Sequence, residues 1–222
     1  VAGKNLEQAV EKGRIIPAGI ARVEIKVVNS RFIATAGPAF SVAAARNFIQ
    51  NIRDEYRDAS HNVPAYVIGH AASLITHCSD DREPSGTAGR PVLAVLQGSG
   101  IGDVVLVVTR YFGGTRLGTG GLVRAYSDAT RRVLQELKLA KKVNCHAATL
   151  MVPYALYERT KLLLVKRQAL IQNEEFAVDV TFTFDIAVNG YADFLSDVQM
   201  LTNGKVVPDI VRANHDAIVP LE

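Results

Sequence analysis

Eight of the seventeen glycines fall between Gly98 and Gly121, in GSGIGDVVLVVTRYFGGTRLGTGG, just ahead of a long amphipathic pattern. Glycine loses the most backbone freedom on folding, so this density points to tight turns, positive φ angles or close backbone approach to a partner. A strand running through glycines into a helix also offers unpaired N–H groups and about half a positive charge, which suits a phosphate. Arg110, Arg116, Arg124 and Arg131 would add cationic contacts, and Tyr111 and Phe112 flat surfaces for bases. Gly113, Gly114, Gly118, Gly120 and Gly121 would leave room for that approach. Nucleotide-hydrolysing motifs do not fit: Gly113-x-x-x-x-Gly118-Thr119 lacks the P-loop lysine, and no glycine cluster has the G-x-G-x-x-G register. A second reading stays open, in which the glycines only make a turn and the aromatics cap a core.

The other chemically loaded stretch is Ser79 to Pro91, SDDREPSGTAGRP, with His77 and Cys78 before it. Asp80, Asp81 and Glu83 beside a His and a Cys invite a metal or acid–base reading. Their spacing is neither that of a zinc site nor that of an EF-hand, so no metal and no cofactor are assigned. The expected role of these carboxylates is to accept backbone hydrogen bonds that order the loop, or to pair with arginines. Gly86, Thr87, Gly89 and Arg90 complete this motif loop. An enzymatic alternative has Asp80, Asp81 and Glu83 holding Mg²⁺ for a nucleotide- or phosphoester-handling reaction at the glycine loop. His61 and Ser99 lack a G-x-S-x-G elbow, so no catalytic residue is assigned. His146 and His215 read as structural.

Charge supports binding over chemistry. Residues 82–142 carry 10 basic and 4 acidic groups, whereas residues 143–222 carry 6 and 10. One part of the surface would meet phosphates, and the acidic part would suit a protein partner in an adaptor role. Even the longest apolar runs, such as Val104 to Val108, are far too short to span a bilayer, and no signal segment opens the sequence. Two distant cysteines, Cys78 and Cys145, fit reduced thiols, and the expected location is cytoplasmic.

The elements that must position these residues follow from periodicity. Residues 1–13 read as a tail. Ala21 to Val27 and Arg31 to Thr35 alternate about an Asn29-Ser30 turn, as a hairpin does. Ser41 caps a helix whose apolar positions recur every three or four residues, and Asn62 to Ile68 follows as a strand. A polar loop spans Gly69 to Gly89, then a short helix starts at Pro91 and a buried strand runs from Val104 to Thr109. The helix from about Leu117 to Leu139 carries apolar residues on one side and Arg124 and Arg131 on the other. A boundary is placed after residue 142. Beyond it come strand 145–152, helix 154–166, strands 169–172 and 177–188, helix 191–201 and strand 205–211. This β-α-β-β-α-β order is ferredoxin-like. The expected class is therefore α+β in two domains, 1–142 and 143–222.

The stretches SDDREPSGTAGRP (79–91) and TRYFGGTRLGTGGLVRAYSDA (109–129) together resemble the IMPACT family, in particular its bacterial branch. The resemblance covers about residues 20 to 140. It implies a first domain folded like a small-subunit ribosomal protein and domain IV of elongation factor G. It also implies association with control of translation, and hence partners among RNA, the ribosome or translation factors. The sequence departs from the family pattern at Arg82, where glycine is usual, and at Val63-Pro64, where Cys-Tyr is more typical.

Overall fold

The computed structural model describes residues 14–69 and 74–221. They divide into two compact units, Arg14–Lys141 with Pro220 and Leu221, and Lys142–Val219. The tail read over residues 1–13 lies outside the described residues.

The first unit runs β1 (Arg14–Pro17), β2 (Ala21–Val27), β3 (Ser30–Pro38), α1 (Val42–Glu55), β4 (His61–Ile68), β5 (Ile75–Cys78), α2 (Gly89–Gly98), β6 (Val104–Tyr111) and α3 (Gly118–Gln135). Strands β2 and β3 form the hairpin, Val27 opposite Ser30, with Val28 at a φ of 55° in the turn. The sheet order is β2-β3-β6-β4-β5, each neighbour antiparallel to the next. Strands β3 and β4 therefore run parallel on either side of β6, joined across it by α1. The Ser41 hydroxyl starts that helix by accepting the Ala44 N–H at 3.1 Å.

Strand β6 is central and covered on both faces. Leu106 and Val108 pack with Val92 and Leu96 of α2 and Leu122 and Tyr126 of α3. Val105 and Val107 face the other way, into Ala45, Ile49 and Ile52 of α1. With both faces buried, alternation disappears and the strand reads as one apolar run.

Three boundaries differ from expectation. The predicted Gly69–Gly89 loop contains β5, whose exposed side chains leave no alternation to read. Its backbone pairing with β4, from Ala65 opposite Cys78 to Ile68 opposite Ile75, makes it the sheet edge. Helix α2 begins at Gly89, so Pro91 sits inside the first turn, where its missing N–H still costs nothing. Helix α3 stops at Gln135, four residues early.

The second unit contains β7 (Leu139–Val152), α4 (Tyr157–Lys166), β8 (Leu170–Phe176), β9 (Val180–Ala187), α5 (Tyr191–Thr202) and β10 (Asp209–Pro220). Its strand order β10-β7-β9-β8 is the ferredoxin-like one. Leu150, Leu164, Phe182, Phe184 and Phe194 form its core. Strand β7 begins six residues before the expected Cys145, crossing the drawn boundary, and β10 lies later than the 205–211 expected. A single 3₁₀ turn at Tyr154–Leu156 precedes α4.

His215 bonds Asp185 at 2.7 Å and His146 accepts the Asn214 N–H at 3.4 Å. Cys78 and Cys145 are free, and burial, reinforced by Asp185 and Asp216, pushes the Cys145 thiol up to about 11. Among the described residues, no helix is long and apolar enough to cross a membrane.

Candidate functional site

The two chemically loaded stretches meet at Glu83, whose side chain is only 3% exposed. Its Oε1 accepts from Arg110 Nη1 at 2.7 Å and from the Tyr126 hydroxyl at 2.7 Å. His61 Nε2 stands 3.7 Å from the same oxygen, while its Nδ1 is 2.8 Å from the Asp81 carbonyl. Burial, followed by the Glu83 charge, drives the Tyr126 hydroxyl far above the usual phenol range, so it remains a donor. Arg110 also bonds Ser30 Oγ at 3.2 Å, with its guanidinium 5.4 Å from the Phe32 ring and 5.4 Å from the Phe112 ring. Phe32 and Tyr126 pack edge to face.

Arg110, expected to contact phosphate, is thus 5% exposed and held inside the protein. The physical reason is its place at the end of a doubly covered strand: a buried cation must find a carboxylate, and Glu83 supplies one.

The remaining carboxylates of the loop point elsewhere. Asp80 accepts the N–H groups of Gly86 (2.9 Å), Ala88 (3.1 Å) and Gly89 (2.8 Å), and so closes the N-terminus of α2. Burial opposes its ionisation, but these three donors outweigh it and hold Asp80 below the usual carboxylate range. Asp81 accepts the Asn62 N–H at 2.6 Å and a longer contact from Arg53 at 3.4 Å. Thr87 turns its hydroxyl onto the Pro84 carbonyl at 2.6 Å. A Cβ on Gly89 would lie 2.7 Å from the Ser79 carbonyl, so the loop closes only over glycine. Arg90 stays exposed. Arg82, where the family pattern has glycine, has a φ of 71°, a left-handed backbone that favours glycine. Among the described residues no three His, Cys, Asp or Glu side chains gather as a metal-ligand set.

The glycine loop divides into an anchored start and an open end. A Cβ on Gly113 would fall 1.9 Å from the Asn29 carbonyl oxygen, and its N–H donates to Ser30 Oγ at 3.3 Å. The β2–β3 turn therefore presses directly on this glycine. Tyr111 donates to Asp58 at 2.7 Å, a bond that with burial raises its pKa, and Arg31 covers its ring at 5.1 Å. Phe112 is 48% exposed and keeps surface for stacking.

Gly114 and Gly118 adopt φ values of 82° and 70° in open space, and Gly120 is equally uncrowded. Gly121 is half-buried, its Cβ position 3.1 Å from the Leu117 side chain. Helix α3 starts on Leu117 without a side-chain cap and without an acidic residue in its first turn. Arg116 and Arg124 are exposed beside it with no ion-pair or hydrogen-bond partner among the described residues, while Arg131 pairs with Asp128 at 2.7 Å.

Sequence reading missed Asn29, Ser30, Phe32, His61 and Tyr126 as part of this arrangement. A tyrosine on the core face of a helix was the one available signal, because its hydroxyl needs a buried partner.

Fold and site together define a two-domain α+β protein in which a carboxylate loop is tied by a buried ion pair to a glycine-rich, basic loop–helix. The Impact N-terminal domain matches residues 28–134, and a domain of unknown function (DUF1949) matches residues 150–205. IMPACT family member YigZ of Escherichia coli K12 is 35% identical over 193 residues, 86% of this chain and 95% of that protein. IMPACT family member YvyE of Bacillus subtilis is 34% identical, covering 82% of this chain and 83% of its own. The chain belongs to the IMPACT family. A crystal structure of a hypothetical protein, 32% identical, matches 96% of this chain and 99% of its own at a TM-score of 0.61.

Proposed function

We propose that this chain is a translation-associated binding protein whose first unit docks on RNA or the ribosome through the open end of the glycine loop and the start of α3. The observation that carries this reading is an 18-residue helix beginning Gly-Thr-Gly-Gly without a side-chain cap, flanked by Arg116 and Arg124, which have no partner among the described residues. The N–H groups of its first turn, which have no intrahelical carbonyl to bond, the helix dipole and the two guanidinium groups form a cationic surface that backbone phosphates would satisfy. Phe112 supplies a surface for a base. The association of the IMPACT family with control of translation supports the same reading. Arg110 is outside this surface and acts beneath it, setting the loop from below.

Co-sedimentation with ribosomes tests the reading directly. Wild-type protein is expected to pellet at low salt and to be released steeply as salt rises, because phosphate contacts release counterions. The Arg116→Glu, Arg124→Glu variant is expected to stay in the supernatant. Equal pelleting of the two proteins would overturn the assignment, and pelleting that ignores both salt and nuclease would point to a protein partner.

A further inference from the structure

On the opposite face of the first sheet from α2 and α3, a cleft of about 410 Å³ opens between α1 and strands β4 and β5, of which β5 is the sheet edge. Its volume lies in the range of small-ligand sites, roughly 300–1,000 Å³. Arg46, Gln50 and Arg53 line one side, Tyr66 and His77 the other, and among the described residues no carboxylate lines it. The three α1 residues recur at four- and three-residue spacing, so they share one helix face over about 10 Å. Arg46 is exposed and has no hydrogen-bond or ion-pair partner among the described residues. Arg53 has only the 3.4 Å contact to Asp81, and Gln50 donates to Asp54 at 3.2 Å.

Across the cleft, the exposed His77 ring lies on Tyr66, centroids 5.2 Å apart and planes 28° from parallel. Tyr66 is itself packed into the α1 core cluster. The imidazole is therefore held as a flat, backed platform at the surface. Arg46 has no partner among the described residues, His77 keeps an exposed face beyond its contact with Tyr66, and both line the same cleft.

We infer that this cleft is a nucleotide subsite, in which Arg46 and Arg53 hold phosphate and a base stacks on His77. Two arginines favour phosphate because the guanidinium fork matches its oxygens, and the platform favours a planar base over an acidic side chain. The ligand is a phosphorylated nucleoside unit, either free or within a single-stranded RNA. Because the cleft and α3 lie on opposite faces of the sheet, this subsite does not depend on the α3 reading.

The test titrates the whole chain with AMP and UMP in one arm and a labelled short single-stranded RNA in the other. Arg46→Glu and His77→Ala are each expected to weaken binding about tenfold, with unchanged thermal unfolding, since both side chains are exposed. Arg46→Glu is also expected to flatten the salt dependence by about 0.7 per lost phosphate contact. Binding of mononucleotides identifies a free nucleotide as the ligand, and binding of the oligomer alone identifies an RNA segment.

The subsite is overturned if neither probe binds at millimolar concentration, or if Arg46→Glu and His77→Ala bind as wild type does. It is equally overturned if an oligoglutamate peptide competes fully and His77→Ala leaves that competition unaltered. The Arg116→Glu, Arg124→Glu variant separates the two proposals. An effect of that variant alone assigns binding to α3 and removes the cleft, whereas effects of the cleft variants alone do the reverse.

Discussion

The loop at 79–91 and the glycine loop with the start of α3, residues 112–124, both combine glycine with charge, yet they do opposite work. Both read in the sequence as places where chemistry or binding happens. In the first, Asp80 is surrounded by three backbone donors and Glu83 by Arg110 and Tyr126, so its carboxylates face inward. In the second, Gly118 and Gly120 open onto empty space, and Arg116 and Arg124 stand without partners among the described residues. What separates scaffold from surface here is whether each polar group already has a partner. A charged residue in a glycine-rich loop carries no functional meaning until its hydrogen bonds are counted.

Substitutions can break or sharpen this contrast. The largest effect on stability is expected at the buried pair. Glu83→Ala strands Arg110 inside the protein and should cost about 3–5 kcal/mol, read from chemical denaturation. A denaturation midpoint indistinguishable from that of wild type would show that the loop is not held from within. Next comes Gly113→Ala, which places a methyl group against the Asn29 carbonyl and should cost about 3 kcal/mol. Gly114→Ala, in open space at a φ of 82°, should cost only about 1 kcal/mol from backbone strain.

Asp80→Asn should cost about 1 kcal/mol near neutral pH by weakening the closure of α2. Because the folded-state pKa of Asp80 is lowered, its contribution is fully present above the ordinary aspartate value of about 3.9 and is lost as pH falls through the lowered value. The gap between wild type and Asp80→Asn should therefore close in acid. A gap that stays constant with pH would mean that the carboxylate's charge is not what closes the helix. Smallest of all, Arg116→Glu with Arg124→Glu should leave stability within about 0.5 kcal/mol while abolishing ribosome association. A double-mutant pair of this kind, one loop altering only stability and the other only binding, is the sharpest statement of the contrast.

Much of the fold was legible from local signals. The β2–β3 hairpin, whose turn falls at Val28-Asn29, one residue before the expected Asn29-Ser30, the Ser41 cap, the β6 strand and the β-α-β-β-α-β order of the second unit each follow from turn chemistry, capping or periodicity, all of which act within a few residues. Strand β5 was not legible, because Ile75, Thr76 and His77 are exposed and its strand character comes from backbone pairing with β4. Within the site, the prediction that the carboxylates would order their loop or pair with arginine matches what Asp80 and Glu83 do. Arg110 was misread for a different reason. Arginine at the end of an apolar strand looks the same in sequence whether its head group reaches solvent or a buried carboxylate 27 residues away.

By itself the sequence determined the order of the elements apart from β5, the two-domain α+β class, the family and the stretches that matter, since these rest on local propensity and contiguous motifs. Tertiary structure alone decided which members of those stretches face inward. Glu83 meets Arg110 and Tyr126, Gly113 meets Asn29, and His77 stacks on Tyr66, through sheet register and helix packing that bring distant residues together. The physical reason is that burial and hydrogen-bond satisfaction are properties of the assembled core, and the same side chain is structural or available for binding according to the partner that core provides.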